Sequence, residues 1–241
     1  MSRQPLVLGV DGGGTKSIGL VADPSGNILA RRESGASNVN VVGLDGAARS
    51  LHKVISDCCD DVRCPPDELR AVVLALAGAG DDASRLRIKD AVNDLFIRDG
   101  KKALPLFVET DARAALEGAF GGGPGVVVIA GTGSIIVGKT QRSDLLTIGG
   151  WGRILGDEGS GYFIGREALR AVTLQLDRRG EATKLKDKIA EVHHWQTRAD
   201  IIKAVYQEKI ELSQLAPLVL EAAAENDVVA QRILQNAALL L

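Results

Sequence analysis

The stretch VLGVDGGGTKSIGLV, residues 7–21, predicts two short strands that fold back on one another through a glycine turn. The apolar run before the turn has the length of a buried strand, and KSIGLVAD after it has the composition of a second one. The turn, residues 11–15, combines three glycines, which accept tight backbone geometry, with a carboxylate and a hydroxyl. We therefore expect a β-hairpin whose tip lets a ligand approach the backbone closely.

The same plan recurs in VVIAGTGSIIVGKT, residues 127–140, where a turn of Gly and Thr again joins a buried apolar run to a returning strand. Repetition of a supersecondary unit indicates two related halves. The segment GGGPG, residues 121–125, separates them. We predict an N-terminal domain over residues 1–118 and a C-terminal domain over residues 119–241.

Strand and helix periodicities alternate between the two hairpins. NILARRES is typical of a third strand, apolar residues recur at helical spacing from Leu44 to Cys58, and AVVLALAGAG indicates a fully buried strand. A second helix with Leu86 and Phe96 on its buried face, the strand LPLFVET and a helix opening straight after Asp111 follow. The order β-β-β-α-β-α-β-α predicts an α/β fold in which helices cover a mixed sheet, and the C-terminal third is mostly helical.

A literal P-loop spacing, G-x-x-x-x-G-K-T, runs from Gly133 to Thr140. A P-loop needs a compact turn between its glycines and a helix that opens at the Lys-Thr pair. Here residues 135–137 are all β-branched and favour a strand, and QRSD and LLTIGG follow instead of a helix. We therefore assign this segment to a hairpin strand and expect the turn before it, residues 131–133, to bind phosphate through backbone N–H groups.

The composition is that of an ordinary globular protein, with 45% hydrophobic residues, 25% charged residues and a formal net charge of −2. This near-neutral charge lacks the excess of basic residues that is typical of nucleic-acid-binding proteins. No apolar run is long enough to span a bilayer or to form a secretory signal. We therefore expect a cytoplasmic protein without nucleic-acid or membrane partners.

The three cysteines, Cys58, Cys59 and Cys64, lie within seven positions. An odd number argues against a disulfide framework, and no C-x-x-C pair is present. A metal site shared with His52 is one interpretation of this cluster. Reduced thiols at the end of an amphipathic helix are the interpretation that we favour.

Four motifs, in this order between residue 5 and about residue 170, resemble those of a known family: GVDGGGTKS, TDARAALEGAF, IAGTGS and GGWGRILGDEGSG. The chain is similar to the N-acetylglucosamine kinase branch of the BadF/BadG-type ATPases, in the superfamily of actin, hexokinase and Hsp70. The resemblance implies two ribonuclease-H-like domains with ATP in the cleft between them. It also implies a further adenosine-binding loop, so we expect the 241 residues to belong to a longer protein and the second domain to be incomplete.

The resemblance also implies roles for individual residues. Asp11 would hold Mg²⁺ through water, and Asp111 would be the base that accepts the proton of the sugar hydroxyl. The two turns would bind the phosphates of ATP through Gly12, Gly13, Gly14, Thr15, Lys16, Gly131, Thr132 and Gly133. The sugar would lie against Asn38, Asp111, Gly150, Trp151 and Asp157.

Each of these side chains also has a purely structural interpretation. Asp111 could cap the helix that follows it, and Trp151 could pack in the core. Asp157 could begin a helix, where acidic residues are favoured, and Asn38 could bond its own backbone in a loop.

The resemblance thus implies an ATP-dependent kinase that uses Mg²⁺ and phosphorylates the 6-hydroxyl of N-acetylglucosamine or glucosamine. Two alternatives stay open. An ATPase activator of a CoA dehydratase would need cysteine ligands for an iron–sulfur cluster near the domain junction, whereas the three cysteines lie in and just after an early helix. A non-catalytic sugar sensor would need neither the base nor both phosphate-binding turns. A homodimer is also left open.

Overall fold

The computed structural model describes residues 4–241 and divides them into two compact units. The N-terminal unit ends at Gly122, and the C-terminal unit runs from Gly123 to Leu241. Each unit contains strands and helices, so the chain has the α/β class that the sequence predicts. None of the described helices has the length and the apolar character needed to cross a membrane.

The N-terminal unit is built on a mixed five-stranded sheet, as the alternation of strand and helix patterns predicts. Its strands are β1 (Val7–Gly12), β2 (Lys16–Ala22), β3 (Ile28–Gly35), β4 (Ala71–Leu76) and β5 (Leu106–Thr110). They lie in the order β3-β2-β1-β4-β5, with β2 antiparallel to both its neighbours and β4 parallel to both of its own. The carboxyl ends of β1, β4 and β5 therefore meet at one edge of the sheet.

Three helices lie between and after these strands: α1 (Val39–Asp61), α2 (Asp82–Arg98) and α3 (Asp111–Phe120). A short 3-10 helix (Pro66–Glu68) precedes β4. The helix predicted from Leu44 begins earlier, at Val39, and is interrupted at Gly43, whose φ of +70° is not helical. The regular apolar spacing starts only after this break, which is why the sequence placed the start of the helix there.

The buried face of α2 differs in one residue from the prediction. Ile88, Val92 and Phe96 are buried at intervals of one helical turn. Leu86 is 58% exposed, so its predicted place on the buried face is wrong. At about 100° per residue it lies far around the helix from the row that contains Val92 and Phe96.

The helix α1 lies close to β2 because Gly19 has no side chain. A Cβ at Gly19 would lie 2.9 Å from Cys58 Sγ and 3.0 Å from Val54 Cγ2. Cys58 and Cys59 are buried in this core, and burial raises the pKa of the Cys59 thiol to about 12. That thiol therefore stays protonated at neutral pH. In residues 4–241, no group of three or more His, Cys, Asp or Glu side chains is placed to hold a metal.

The C-terminal unit combines a three-stranded antiparallel sheet with a group of helices. In sheet order the strands are β6 (Gly125–Ala130), β7 (Ser134–Lys139) and β8 (Leu145–Gly149). The helices are α4 (Gly161–Leu176), α5 (Leu185–His193), α6 (Arg198–Ile202), α7 (Ala216–Ala224) and α8 (Val228–Leu240). A π-helical turn (Lys203–Gln207) continues α6, and a 3-10 helix (Leu212–Leu215) precedes α7. The literal P-loop spacing falls on β7 and is followed by β8, so the hairpin assignment is confirmed.

Both units begin with three antiparallel strands in sequence, followed by a helix. These elements are β1-β2-β3-α1 in the N-terminal unit and β6-β7-β8-α4 in the C-terminal unit. The first two strands of each set form the hairpin that the sequence predicts. We call residues 12–15 the first glycine turn and residues 131–133 the second.

A buried carboxylate ties together two distant segments of the C-terminal unit. Asp227 is 7% exposed and caps α8 by accepting a hydrogen bond from the Ala230 N–H at 2.8 Å. It also accepts hydrogen bonds from the Thr183 hydroxyl at 3.0 Å and the Lys184 N–H at 2.6 Å. Burial raises the pKa of this carboxyl, but the hydrogen bonds together lower it below its ordinary value.

We expect Asp227→Ala to lower the free energy of unfolding by about 2 kcal/mol, because it removes a helix cap and leaves buried donors without an acceptor. The folded-state pKa lies below the unfolded one, so this stabilisation is present above the unfolded pKa and is lost as the pH falls through the folded pKa. Urea unfolding at neutral and acidic pH measures both effects. Glu191→Ala, on the exposed side of α5, is the matched control, and equal stability of the two variants would contradict the prediction.

Candidate active site

The first glycine turn joins β1 to β2 and is anchored from outside the hairpin. The Gly13 carbonyl accepts hydrogen bonds from the N–H groups of Ser37 at 3.0 Å and Asn38 at 3.1 Å. Within residues 4–241, the N–H groups of Gly14 and Thr15 have no hydrogen-bond acceptor. Two consecutive open donors on a tight turn form a nest, an arrangement that binds anionic oxygen.

Gly12, the last residue of β1, leaves no room for a side chain. A Cβ there would overlap Ser37 Oγ and Leu76 Cδ2. The Ser37 hydroxyl is buried and accepts a hydrogen bond from Ser17 Oγ at 2.8 Å. This pair of serines packs against Gly12 at the start of the first glycine turn. Sequence reasoning missed Ser37, because a small polar residue between a strand and a helix carries no local signal of burial.

Asp111 lies at the same edge of the sheet as the first glycine turn. In the sheet register, Gly12 lies beside Leu76 on β4, and Leu76 lies beside Thr110 on β5. Asp111 follows directly, two strand spacings or about 10 Å from Gly12. It is exposed, and its Oδ1 accepts a hydrogen bond from the Ala112 N–H at 2.8 Å.

The interpretation of Asp111 as a helix cap is wrong. Thr110 caps α3, because its hydroxyl accepts a hydrogen bond from the Arg113 N–H at 3.2 Å. Thr110 keeps extended backbone angles, φ −76° and ψ 150°, which a capping residue requires. Asp111 is already the first helical residue and not the cap, and among the described residues its Oδ1 bonds only the N–H of the next residue, Ala112.

Asp11 and Lys16 flank the first glycine turn. Asp11 is exposed near the end of β1, where it lies beside Ile18 on β2 and Ala75 on β4. An exposed carboxylate suits Mg²⁺ bound through water, because this ion gives up its hydration shell reluctantly. Lys16 begins β2, and its Nζ lies 3.5 Å from Glu33 Oε1.

Asn38 lies beside the first glycine turn at the start of α1. Its Oδ1 accepts a hydrogen bond from the Asn40 N–H at 2.9 Å, which makes it the cap of α1. A Cβ at Gly78, in the small-residue segment after β4, would lie 2.6 Å from the same oxygen. The interpretation that Asn38 bonds its own backbone is therefore confirmed, and this bond fixes its side chain next to the turn.

The second glycine turn joins β6 to β7 and is anchored by the start of α4. The Gly131 carbonyl accepts a hydrogen bond from the Gly161 N–H at 2.8 Å, and the Thr132 carbonyl accepts one from the Tyr162 N–H at 3.1 Å. The N–H groups of Thr132 and Gly133 have no acceptor in the described part of the chain. This turn is a second nest, and both nests have carbonyls bonded to the N–H groups at a helix start.

Asp157 lies against the second glycine turn. It is 8% exposed, has a left-handed backbone with φ +62°, and accepts a hydrogen bond from the Ser134 N–H at 3.2 Å through Oδ1. The helix α4 begins at Gly161 and has Ser160 as its cap, so the interpretation that Asp157 begins this helix is wrong. Sequence reasoning singled out Asp157 but gave no sign of its contact with the turn.

Gly150 and Trp151 follow β8 directly. Gly150 has φ +70° and donates a hydrogen bond to the Ser134 carbonyl at 3.1 Å. A Cβ at Gly150 would lie 2.8 Å from Ile135 Cδ1, so this position requires glycine. Trp151 is 75% exposed, so the interpretation that it packs in the core is wrong. Its indole offers an apolar face to a ligand.

The structure thus groups the candidate residues into two sets, one in each unit. The N-terminal set comprises Asp11, Gly12, Gly13, Gly14, Thr15, Lys16, Asn38 and Asp111. The C-terminal set comprises Gly131, Thr132, Gly133, Gly150, Trp151 and Asp157. Each set contains one nest of open N–H groups with a carboxylate close to it.

Two relatives align with nearly the whole chain. An N-acetylmuramic acid/N-acetylglucosamine kinase from Clostridium acetobutylicum is 33% identical over 235 residues, which cover 96% of this chain and 75% of that protein. An N-acetyl-D-glucosamine kinase from Dictyostelium discoideum is 33% identical over 250 residues, which cover 99% of this chain and 77% of that protein.

A solved structure and a family model agree with these relatives. A crystal structure from Chromobacterium violaceum, provisionally named an N-acetylglucosamine kinase, has a TM-score of 0.78 and 27% identity, and the match covers 97% of this chain and 79% of that one. The model of the BadF/BadG/BcrA/BcrD ATPase family matches residues 8–240. On this match and these relatives, the chain belongs to the BadF/BadG/BcrA/BcrD ATPase family.

Proposed function

We propose that the chain is an ATP-dependent kinase that phosphorylates the 6-hydroxyl of an amino sugar, N-acetylglucosamine or glucosamine. The observation that carries the proposal is the pair of nests, each with two consecutive backbone N–H groups that have no acceptor in residues 4–241. The names of the two relatives, both kinases of N-acetylated amino sugars, support the choice of substrate.

In this proposal the two nests bind the β- and γ-phosphates of ATP. The first nest does so through the N–H groups of Gly14 and Thr15, with Gly12, Gly13 and Lys16 beside them, and the second through those of Thr132 and Gly133, with Gly131 beside them. The Gly13 and Gly131 N–H groups already donate within their turns, to the Lys16 and Gly133 carbonyls. The donors are held in place before ATP arrives, because the turn carbonyls are bonded to N–H groups just before α1 and at the start of α4. Such preorganised donors stabilise the charge of the transition state without reorganising during the reaction. Asp11 would hold Mg²⁺ through water, and this ion neutralises charge on the phosphates when bound.

We assign the general base to Asp111. Phosphoryl transfer depends mainly on positioning and charge stabilisation, but the attacking hydroxyl must also lose its proton. Asp111 Oδ1 already accepts the Ala112 N–H, so Oδ2 is the oxygen that takes the proton of the sugar hydroxyl. The carboxylate is exposed and is not used to cap α3, which supports this role.

The sugar would be bound by Asn38, Gly150, Trp151 and Asp157. The exposed indole of Trp151 can cover the apolar face of a sugar ring, while carboxylate and amide oxygens accept hydrogen bonds from its hydroxyls.

The position of the cysteines disfavours an ATPase activator of a CoA dehydratase. Such a protein needs accessible thiolates that hold an iron–sulfur cluster. Cys58 and Cys59 are instead buried against the sheet, and burial raises the pKa of both thiols.

A coupled assay of ADP release tests the kinase. We expect ATP turnover in the presence of Mg²⁺ to depend on N-acetylglucosamine or glucosamine, with glucose as a weaker acceptor, and ³¹P NMR of the product to show a 6-phosphate. Turnover of ATP that does not depend on any sugar would contradict the proposal. A product phosphorylated elsewhere would overturn the assignment of the 6-hydroxyl alone.

The literal P-loop spacing gives a further prediction. Lys139 is the last residue of β7 and pairs with Gly125 at the start of β6, at the far end of the hairpin from the second glycine turn. We therefore expect Lys139→Ala to change the KM for ATP by no more than about twofold. Thr132→Ala, which removes the hydroxyl that the family resemblance places against the phosphates, is the positive control. A rise of tenfold or more for Lys139→Ala, on the order of 1.4 kcal/mol, would restore the P-loop interpretation.

A further inference from the structure

The carboxylate of Asp157 is held in an unusual way. It is 8% exposed, and its residue has a left-handed backbone that non-glycine residues adopt uncommonly. One oxygen, Oδ1, accepts the Ser134 N–H. The other, Oδ2, has no hydrogen-bond donor among residues 4–241. A buried carboxylate therefore has one oxygen satisfied by the protein and one available to a ligand.

The satisfied oxygen lies directly beside the second glycine turn. Ser134 is the residue that follows this turn, and a Cβ at Gly133 would lie 3.1 Å from Asp157 Oδ1 and 3.2 Å from Oδ2. The Ser134 hydroxyl also donates to the Glu158 carbonyl at 2.7 Å. The segment that carries Asp157 therefore fixes the carboxyl end of the turn, next to the open N–H groups of Thr132 and Gly133.

We propose that Asp157 is a positioning residue that couples sugar binding to the second phosphate-binding turn. The inference rests on the proposed function, since it takes the ligand of Oδ2 to be a hydroxyl of the amino sugar. A hydroxyl donated to Oδ2 fixes the rotation of the carboxylate, and Oδ1 then holds the Ser134 N–H more firmly. The turn beside it loses conformational freedom, so its N–H groups are ordered for phosphate when the sugar is already bound.

The coupling also limits the hydrolysis of ATP by water when no sugar is bound. Without the sugar, the turn carbonyls are still bonded to the start of α4, but the end of the turn at Ser134 depends on Oδ1 of a carboxylate that is free to rotate, so this end is less well ordered. With the sugar bound, the end of the turn at Ser134 is fixed as well, which completes the ordering of donors that the start of α4 already holds in part. Because coupling between two ligands is reciprocal, a nucleotide on the turn should raise the affinity for the sugar by the same factor.

Two variants separate the positioning role from folding. Asp157→Asn keeps an oxygen that can accept the Ser134 N–H, and asparagine tolerates the left-handed backbone. Asp157→Gly removes both oxygens, and glycine adopts this backbone without strain. Asp144→Asn, in the exposed turn between β7 and β8 of the same sheet, is the matched control.

Hydrogen–deuterium exchange of the peptide that covers the second glycine turn gives a readout that needs no catalysis. We expect N-acetylglucosamine to slow exchange in the wild type and in Asp144→Asn. Asp157→Gly should exchange about 10-fold faster without sugar, because it removes a hydrogen bond to a charged acceptor, and should show no response to sugar. Asp157→Asn should exchange near the wild-type rate without sugar, and its exchange should slow less when sugar is added.

Steady-state kinetics gives a second readout. The KM for ATP of Asp157→Gly should rise by about 10-fold, although the side chain is not assigned to the nucleotide.

The outcomes distinguish the inference from the function on which it rests. Unchanged exchange in Asp157→Gly would show that the carboxylate does not hold the turn and would overturn the positioning role. A wild type that binds sugar, measured by calorimetry, without slower exchange in the turn would overturn the coupling alone. A wild type that binds no amino sugar would overturn the proposed function, and the coupling with it.

Discussion

Asp111→Asn should lower kcat by about 10²-fold or more and change the KM for the amino sugar by no more than about threefold. Asparagine has the shape of aspartate and can still accept the Ala112 N–H, as Asp111 Oδ1 does at 2.8 Å. It cannot accept the proton of the attacking hydroxyl, so the loss falls on the chemical step. Steady-state kinetics with ATP and N-acetylglucosamine measures both constants.

Glu109 provides the matched control for this variant. It lies two residues earlier near the end of β5, and its Oε1 is 2.7 Å from Arg113 Nη1. Glu109→Gln removes a carboxylate of the same strand end without touching the proposed base, so its kcat should stay within about threefold of the wild type. A full rate in Asp111→Asn, or an equal loss in both variants, would remove Asp111 as the base.

The sequence alone predicts those parts of the fold that depend on residues close together in the chain. Each glycine turn follows an apolar strand and precedes a second one, and both hairpins form as this local pattern predicts. The same reasoning identified β7 behind the literal P-loop spacing, because three consecutive β-branched residues favour a strand whatever surrounds them.

Features that depend on residues far apart in the chain were not visible in this way. Ser17 and Ser37 meet beneath the first glycine turn, and Asp157 meets Ser134 beside the second, across 20 and 23 positions. No periodicity or motif spacing reports such contacts. The cap of α3 shows a subtler limit. Thr110 and Asp111 are both good capping residues, and only the backbone angles, extended at Thr110 and helical at Asp111, decide between them.

Gly12→Ala should lower the free energy of unfolding by about 3 kcal/mol, which corresponds to about 6–12 °C in Tm. The added Cβ would overlap Ser37 Oγ and Leu76 Cδ2, and the Ala77 N–H donates to the Gly12 carbonyl at 2.9 Å, so the backbone has little freedom to move aside. The shift that relieves the overlap would displace the first nest, so the affinity for ATP should fall as well. Thermal unfolding and calorimetry with a non-hydrolysable ATP analogue measure the two effects.

Gly13→Ala separates stability from nucleotide binding at the next residue. Its Cβ would meet only the Lys16 carbonyl oxygen, at an ordinary contact distance of 3.6 Å, so stability should change by less than about 1 kcal/mol. A loss of ATP affinity in this variant would therefore report the nest itself and not a damaged fold.

A second test of the packing at Gly12 uses Ser37→Ala as the background. If the added Cβ and the Ser37 hydroxyl compete for the same space, Gly12→Ala should lower the free energy of unfolding by less when that hydroxyl is absent. Equal costs in the two backgrounds would mean that the Ser37 hydroxyl does not set the cost and would leave the overlap with Leu76 Cδ2 as its source.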